Sequence, residues 1–131
     1  MKNILVTGGS GFIGSNFVNF LIEKGFKVIN LDKLTYAGNE KNNQHLSSND
    51  LYEFICGDIN DEELVRDILK NKNIDCLVNF AAESHVDNSI NTPEEFLKTN
   101  IMGTFKLLQE ALIHSKRYKD FRFLHISTDE V

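Results

Sequence analysis

Glycines stand at positions 8, 11 and 14 in the run Gly8-Gly9-Ser10-Gly11-Phe12-Ile13-Gly14, directly after the apolar stretch Ile4-Leu5-Val6. An acidic residue, Asp32, closes the next apolar stretch. Together these residues suit the holding of a dinucleotide. A strand ending at Thr7 delivers the chain into a tight turn at Gly8, exposes backbone N–H groups at Gly11 and opens a helix whose positive end faces a pyrophosphate. Gly14 then lets helix and strand pack closely. The Asp32 carboxylate can accept from both ribose hydroxyls of NAD and repel a 2′-phosphate, so NAD is expected over NADP despite the neighbouring Lys33. At the other end, Ser127-Thr128-Asp129-Glu130-Val131 sets a hydroxyl beside two adjacent carboxyls. On an extended strand Asp129 and Glu130 point to opposite faces, so both address one substrate only where the backbone leaves the strand. Such a pair does acid–base work when one carboxyl is protonated while its neighbour is ionised.

The elements that must position these groups are legible as alternating periodicities. Apolar β-rich runs recur at Asn3 to Thr7, Lys27 to Leu31, Tyr52 to Cys56, Cys76 to Phe80 and Arg122 to Ile126, with helical patterns between most of them. The βαβ alternation predicts an α/β fold, a Rossmann-type doubly wound parallel sheet of about five strands in the order 3-2-1-4-5. Thr92-Pro93-Glu94-Glu95 carries a capping threonine, a proline at the first helical position and a capping-box glutamate ahead of an amphipathic helix from Phe96 to about Leu112. Asn60-Asp61-Glu62-Glu63 opens a second helix in the same way. Gly103, inside the longer helix, costs about 1 kcal/mol relative to alanine and points to close packing there. Thr35 to Asp50, polar and rich in asparagine, reads as a loop with at most a short irregular helix.

With 131 residues, 41% of them hydrophobic, the chain reads as one domain, residues 1–131, without internal repeats. A formal charge of −5 argues against a nucleic-acid surface. The one basic cluster, Lys116-Arg117-Tyr118-Lys119 with Arg122, falls where a helix ends and complements its dipole. No secretory leader and no membrane-length apolar run is visible, so a cytoplasmic location away from membranes is expected. Cys56 and Cys76 are expected as buried, reduced thiols. No metal site is expected, because His45, His85, His114 and His125 lack the i, i+4 pairing a helical zinc site uses.

The motifs T-G-G-S-G-F-I-G at Thr7 to Gly14, D-K-L-T-Y-A-G-N at Asp32 to Asn39, G-D-I at Gly57 to Ile59, A-A-E-S-H-V-D at Ala81 to Asp87, T-N-I-M-G-T at Thr99 to Thr104 and S-T-D-E-V at Ser127 to Val131 span nearly the whole chain. Taken together they closely resemble the dTDP-glucose 4,6-dehydratases, extended short-chain dehydrogenase/reductases acting on nucleotide sugars. The resemblance implies that Gly8, Gly11, Phe12, Ile13 and Gly14 lie along the cofactor phosphates. Asp32, Lys33, Leu34, Thr35 and Gly38 would surround the adenosine ribose, with Asp58 and Ile59 at the adenine. Phe80, Ala81, Ala82 and Thr99 would follow the nicotinamide half. Ser84 would approach the sugar and Thr128 its reacting hydroxyl region. Asp129 would protonate the departing C6 hydroxyl of dTDP-glucose, and Glu130 would remove the C5 proton. The family also implies a homodimer.

Two features of the family are not found in these residues: a Tyr-x-x-x-Lys pair, since Arg122 stands four residues after Tyr118, and a carboxy-terminal nucleotide-gripping domain. The expectation is therefore an amino-terminal portion of a dehydratase, without turnover by itself. A UDP-glucose 4,6-dehydratase is the alternative parent. The residues also fit a redox-sensing NAD module or an inert scaffold, although a sensor leaves Asp129 and Glu130 unexplained.

Overall fold

The computed structural model describes residues 2–35, 38–84, 90 and 93–127. The expectations placed on His85, Thr92, Thr128, Asp129 and Glu130 lie outside the described residues.

Five strands, β1 (Asn3–Thr7), β2 (Lys27–Asp32), β3 (Tyr52–Cys56), β4 (Cys76–Asn79) and β5 (Arg122–His125), form one sheet in the order β3-β2-β1-β4-β5. Every neighbouring pair is parallel, as the alternation predicts. Because side chains alternate across a strand, the apolar runs feed two cores at once. Ile4, Val6, Val28 and Val78 pack on one face with Val18 and Leu21 of helix α1 (Phe12–Glu23). Leu5, Ile29, Leu31 and Leu77 pack on the other with Val65, Ile68 and Leu69 of α2 (Glu62–Asn71) and with Leu107.

The helix ends follow local chemistry. After α1, the Gly25 N–H bonds the Ile22 carbonyl and the Phe26 N–H the Leu21 carbonyl, with Gly25 at φ 80, the Schellman arrangement that stops a helix. After α2 the same pattern recurs with Asn73 at φ 49, its N–H on Lys70 and that of Ile74 on Leu69. Asp61 caps α2, its carboxylate accepting the Leu64 N–H at 3.0 Å.

Two expectations change. The helix foreseen from Phe96 is not one α-helix. A short turn, α3 (Pro93–Phe96), runs into a π-helical segment (Leu97–Gly103) before α4 (Thr104–Ser115) resumes ordinary winding. The close packing expected at Gly103 is present: a Cβ there would lie 2.5 Å from Ile59 Cδ1. The cysteines are free but not buried. Cys56 is exposed at the end of edge strand β3, and Cys76 is half-buried. The irregular stretch 35–50 contains one 3-10 helix, Glu40–Leu46. No helix among the described residues is long and apolar enough to cross a membrane.

Candidate functional site

The carboxyl ends of the strands open into a cleft of about 490 Å³, the place where open parallel sheets bind ligands. Gly8 forms its first wall at φ 72, and a Cβ on it would sit 2.6 Å from the Ala81 nitrogen. No other residue fits both the angle and the gap. A Cβ on Gly14 would collide with the Gly8 carbonyl, so α1 approaches β1 as closely as its backbone allows. The Gly11 N–H is not open, as had been expected; it closes the turn onto the Gly8 carbonyl at 3.2 Å. The first bond back into α1 comes from the Ser15 N–H to the Gly11 carbonyl at 2.9 Å. The N–H groups of Phe12, Ile13 and Gly14 thus have no partner among the described residues, and α1 carries neither a side-chain cap nor an acidic residue in its first turn. This is a positive helix end with donors to spare.

Asp32, 9% exposed, ends β2 with both carboxylate oxygens engaged. Oδ2 accepts the Ser10 N–H at 2.9 Å and Oδ1 the Leu34 N–H at 2.8 Å. Its role as a turn cap is therefore real, and about two of its four lone-pair sites remain for a ligand. Leu34 is held at φ 55 by this bond and is the only expected cofactor residue that does not line the cleft. Lys33, Thr35 and Gly38 line it beside Asp32. Lys33 Nζ lies 3.5 Å from Asp58 and 3.9 Å from Glu95 of α3. Burial pushes the Asp58 carboxyl up, but the Asn60 backbone N–H and side-chain amide, together with Lys33, outweigh it and hold the group below the ordinary aspartate range. Ile59 lines the cleft next to it.

On the far side Phe80, Ala81, Ala82, Ser84 and Thr99 form the wall. Asn100 pins this loop to the π segment, its Oδ1 accepting the Glu83 N–H at 2.8 Å and its Nδ2 donating to the Glu83 carbonyl at 3.0 Å. Thr99 is 5% exposed, and its hydroxyl has no partner among the described residues. Asn79 ties the floor together, accepting from the Thr7 hydroxyl at 2.6 Å and pairing with His125 at 3.1 Å. Glu83 and Ser127 also line the cleft, as do Leu31, Gly57 and Ile126, which were not foreseen as site residues. All but Glu83 lie at or just past strand ends, a signal the sequence does carry. Among the described residues no group of three or more His, Cys, Asp or Glu is placed to hold a metal ion.

The model of the GDP-mannose 4,6 dehydratase family matches residues 5–131. The chain belongs to this family. A dTDP-glucose 4,6-dehydratase from Xanthomonas campestris is 48% identical across 100% of the chain. The crystal structure of dTDP-glucose 4,6-dehydratase from Bacillus anthracis in complex with NAD superposes with a TM-score of 0.84 at 39% identity, covering 100% of this chain and 39% of that one. UDP-glucose 4-epimerase from Thermotoga maritima with UDP-glucose gives 0.81 at 37% identity, over 96% of this chain and 38% of the epimerase. The chain spans 39% of the length of the Xanthomonas relative. The likeness to dTDP-glucose 4,6-dehydratases read from the motifs is thus borne out along the whole chain.

Proposed function

We propose that this chain binds NAD and forms the cofactor-holding part of a nucleotide-sugar 4,6-dehydratase acting on dTDP-glucose. The observation that carries the reading is the unpartnered trio of N–H donors at Phe12, Ile13 and Gly14, set at a positive helix end and opening on the cleft. The cleft's other groups fit the rest of the cofactor. The remaining lone pairs of Asp32 suit ribose hydroxyls, Asp58 suits an amino-bearing base, and the orphaned Thr99 hydroxyl suits a polar group at the nicotinamide end.

NAD, when bound, would take hydride from C4 of the sugar and return it to C6. The chain's own part is to hold and to move protons. The trio of amides offsets the pyrophosphate charge, Phe80, Ala81 and Ala82 exclude water, and Ser84 and Thr128 orient the sugar. Asp129 gives a proton to the C6 hydroxyl as it leaves, and Glu130 takes the C5 proton, each transfer being worth a factor of about 10² to 10⁴.

The reading extends to assembly and location. Leu97, Ile101, Phe105, Leu108 and Leu112 are exposed at helical spacing along the π segment and α4, which supports pairing with a second copy. The free thiols Cys56 and Cys76 suit the reducing cytoplasm.

Calorimetric titration with NAD and NADP tests the proposal. NAD binding tenfold or more tighter than NADP is expected. Absence of NAD binding would overturn it.

A further inference from the structure

The glycine-rich loop is held from behind by asparagines that the cofactor reading leaves without a role. Asn43 Nδ2 donates to the Gly9 carbonyl at 2.7 Å. Asn42 Nδ2 donates to the Ser10 carbonyl at 2.9 Å, and the Asn39 N–H reaches the same oxygen at 3.0 Å. Asn43 is 3% exposed, and its Oδ1 has no partner among the described residues. Burying an orphaned acceptor is unfavourable, so its donor is the polar group that accounts for the position. Beneath them Asn30, fully buried in β2, donates to the Ser10 hydroxyl at 3.1 Å.

The two captured carbonyls are the ones four residues before Ile13 and Gly14. Left free, and with Gly11 turned from its extended conformation (φ −75, ψ 175) to a helical one, they would accept those residues' N–H groups and wind α1 back toward β1. The donors would then be consumed inside the helix. We infer that Asn42 and Asn43 are positioning residues for a pyrophosphate: by holding the Ser10 and Gly9 carbonyls away, they stop α1 at Phe12 and keep the Ile13 and Gly14 N–H groups open to the cleft. Asn39 caps the 3-10 helix, its side chain accepting the Lys41 N–H at 3.0 Å, which holds both asparagines at the loop. That helix follows directly on Asp32 to Gly38, so the two ends of the nucleotide site are tied by one segment.

The identity of the ligand rests on the NAD reading, whereas the state of the amides does not. In the full chain without ligand, NMR hydrogen exchange is expected to slow about tenfold at Ile13 in Asn43→Ala, as that amide gains the vacated Gly9 carbonyl. Gly14 slows less in Asn42→Ala, about threefold, because the Asn39 N–H still holds Ser10. Asn42 is exposed, so Asn42→Ala decides the matter at Gly14 if Asn43→Ala fails to fold. By calorimetry, NAD and ADP should bind about tenfold more weakly to Asn43→Ala, and more weakly to a lesser degree to Asn42→Ala, with adenosine within twofold of the unmodified chain and Asn42→Gln restoring affinity. Unchanged exchange at both amides overturns the inference whatever the affinities do, as does equal weakening of adenosine and ADP. If the unmodified chain binds none of the three ligands, the NAD reading falls and the exchange result still judges the brace.

Discussion

The Asp32 carboxylate and the Ser10 N–H meet at 2.9 Å, joining the end of β2 to the loop that follows β1. The other oxygen of the same carboxylate holds the Leu34 N–H. One side chain thus sets both the loop and the turn. An amide at this position presents oxygen to only one of these donors and turns NH₂ toward the other. Asp32→Asn should lower stability in urea unfolding by about 1–3 kcal/mol and weaken NAD binding, with NADP binding the less affected of the two.

Gly14 faces the Gly8 carbonyl with no room for a methyl group. The obstacle is backbone, which cannot swing aside. Gly14→Ala should destabilise the chain by about 1–3 kcal/mol, and NAD titration should show binding lost along with the close approach of α1 to β1.

Arg66 and Glu110 pair bidentately between α2 and α4, at 2.7 and 3.0 Å. Their surroundings differ: the Arg66 side chain is 54% exposed, the Glu110 side chain 3%. Removing the arginine strands a buried carboxylate, whereas neutralising the glutamate leaves a guanidinium that water can solvate. Arg66→Ala should therefore lower the urea midpoint more than Glu110→Gln does.

Asp58 titrates below its ordinary range, with burial opposed and outweighed by Asn60 and Lys33. A depressed folded value adds stability above the unfolded value, near 3.9, and that stability is lost as pH falls through the folded value. The gap in stability between the unmodified chain and Asp58→Asn should be full at neutral pH and narrow below about pH 4. An unchanging gap from pH 6 to pH 3 would contradict this.

Gly25 and Asn73 occupy the same left-handed position at the ends of α1 and α2. Gly25→Ala should cost about 1–2 kcal/mol, while Asn73→Gly should be neutral or stabilising. Thermal melting distinguishes the two signs.

The strands and their order were legible because each apolar run between turn residues became a strand, with β1, β2 and β4 buried on both faces. The glycine loop was legible because its spacing has a steric purpose. Three things were not. The π segment is hidden because residues 97–103 keep a helical pattern, and the close approach of Gly103 is to Ile59, distant in sequence. The hold of Asn42 and Asn43 on the loop is hidden because asparagines in a polar stretch look like any turn. The exposure of Cys56 depends on β3 lying at the edge of the sheet, a property of the assembled topology rather than of its neighbours in sequence.

The wide winding at Leu97–Gly103 accommodates a surplus residue within a helix that otherwise turns normally. Deleting one amino acid there would let the coil tighten to regular pitch while the turns on either side kept their facing, so that the residues inside the segment, Thr99 on the cleft wall among them, would be the ones to turn. Length at this point, more than composition, decides which side chain looks into the cavity.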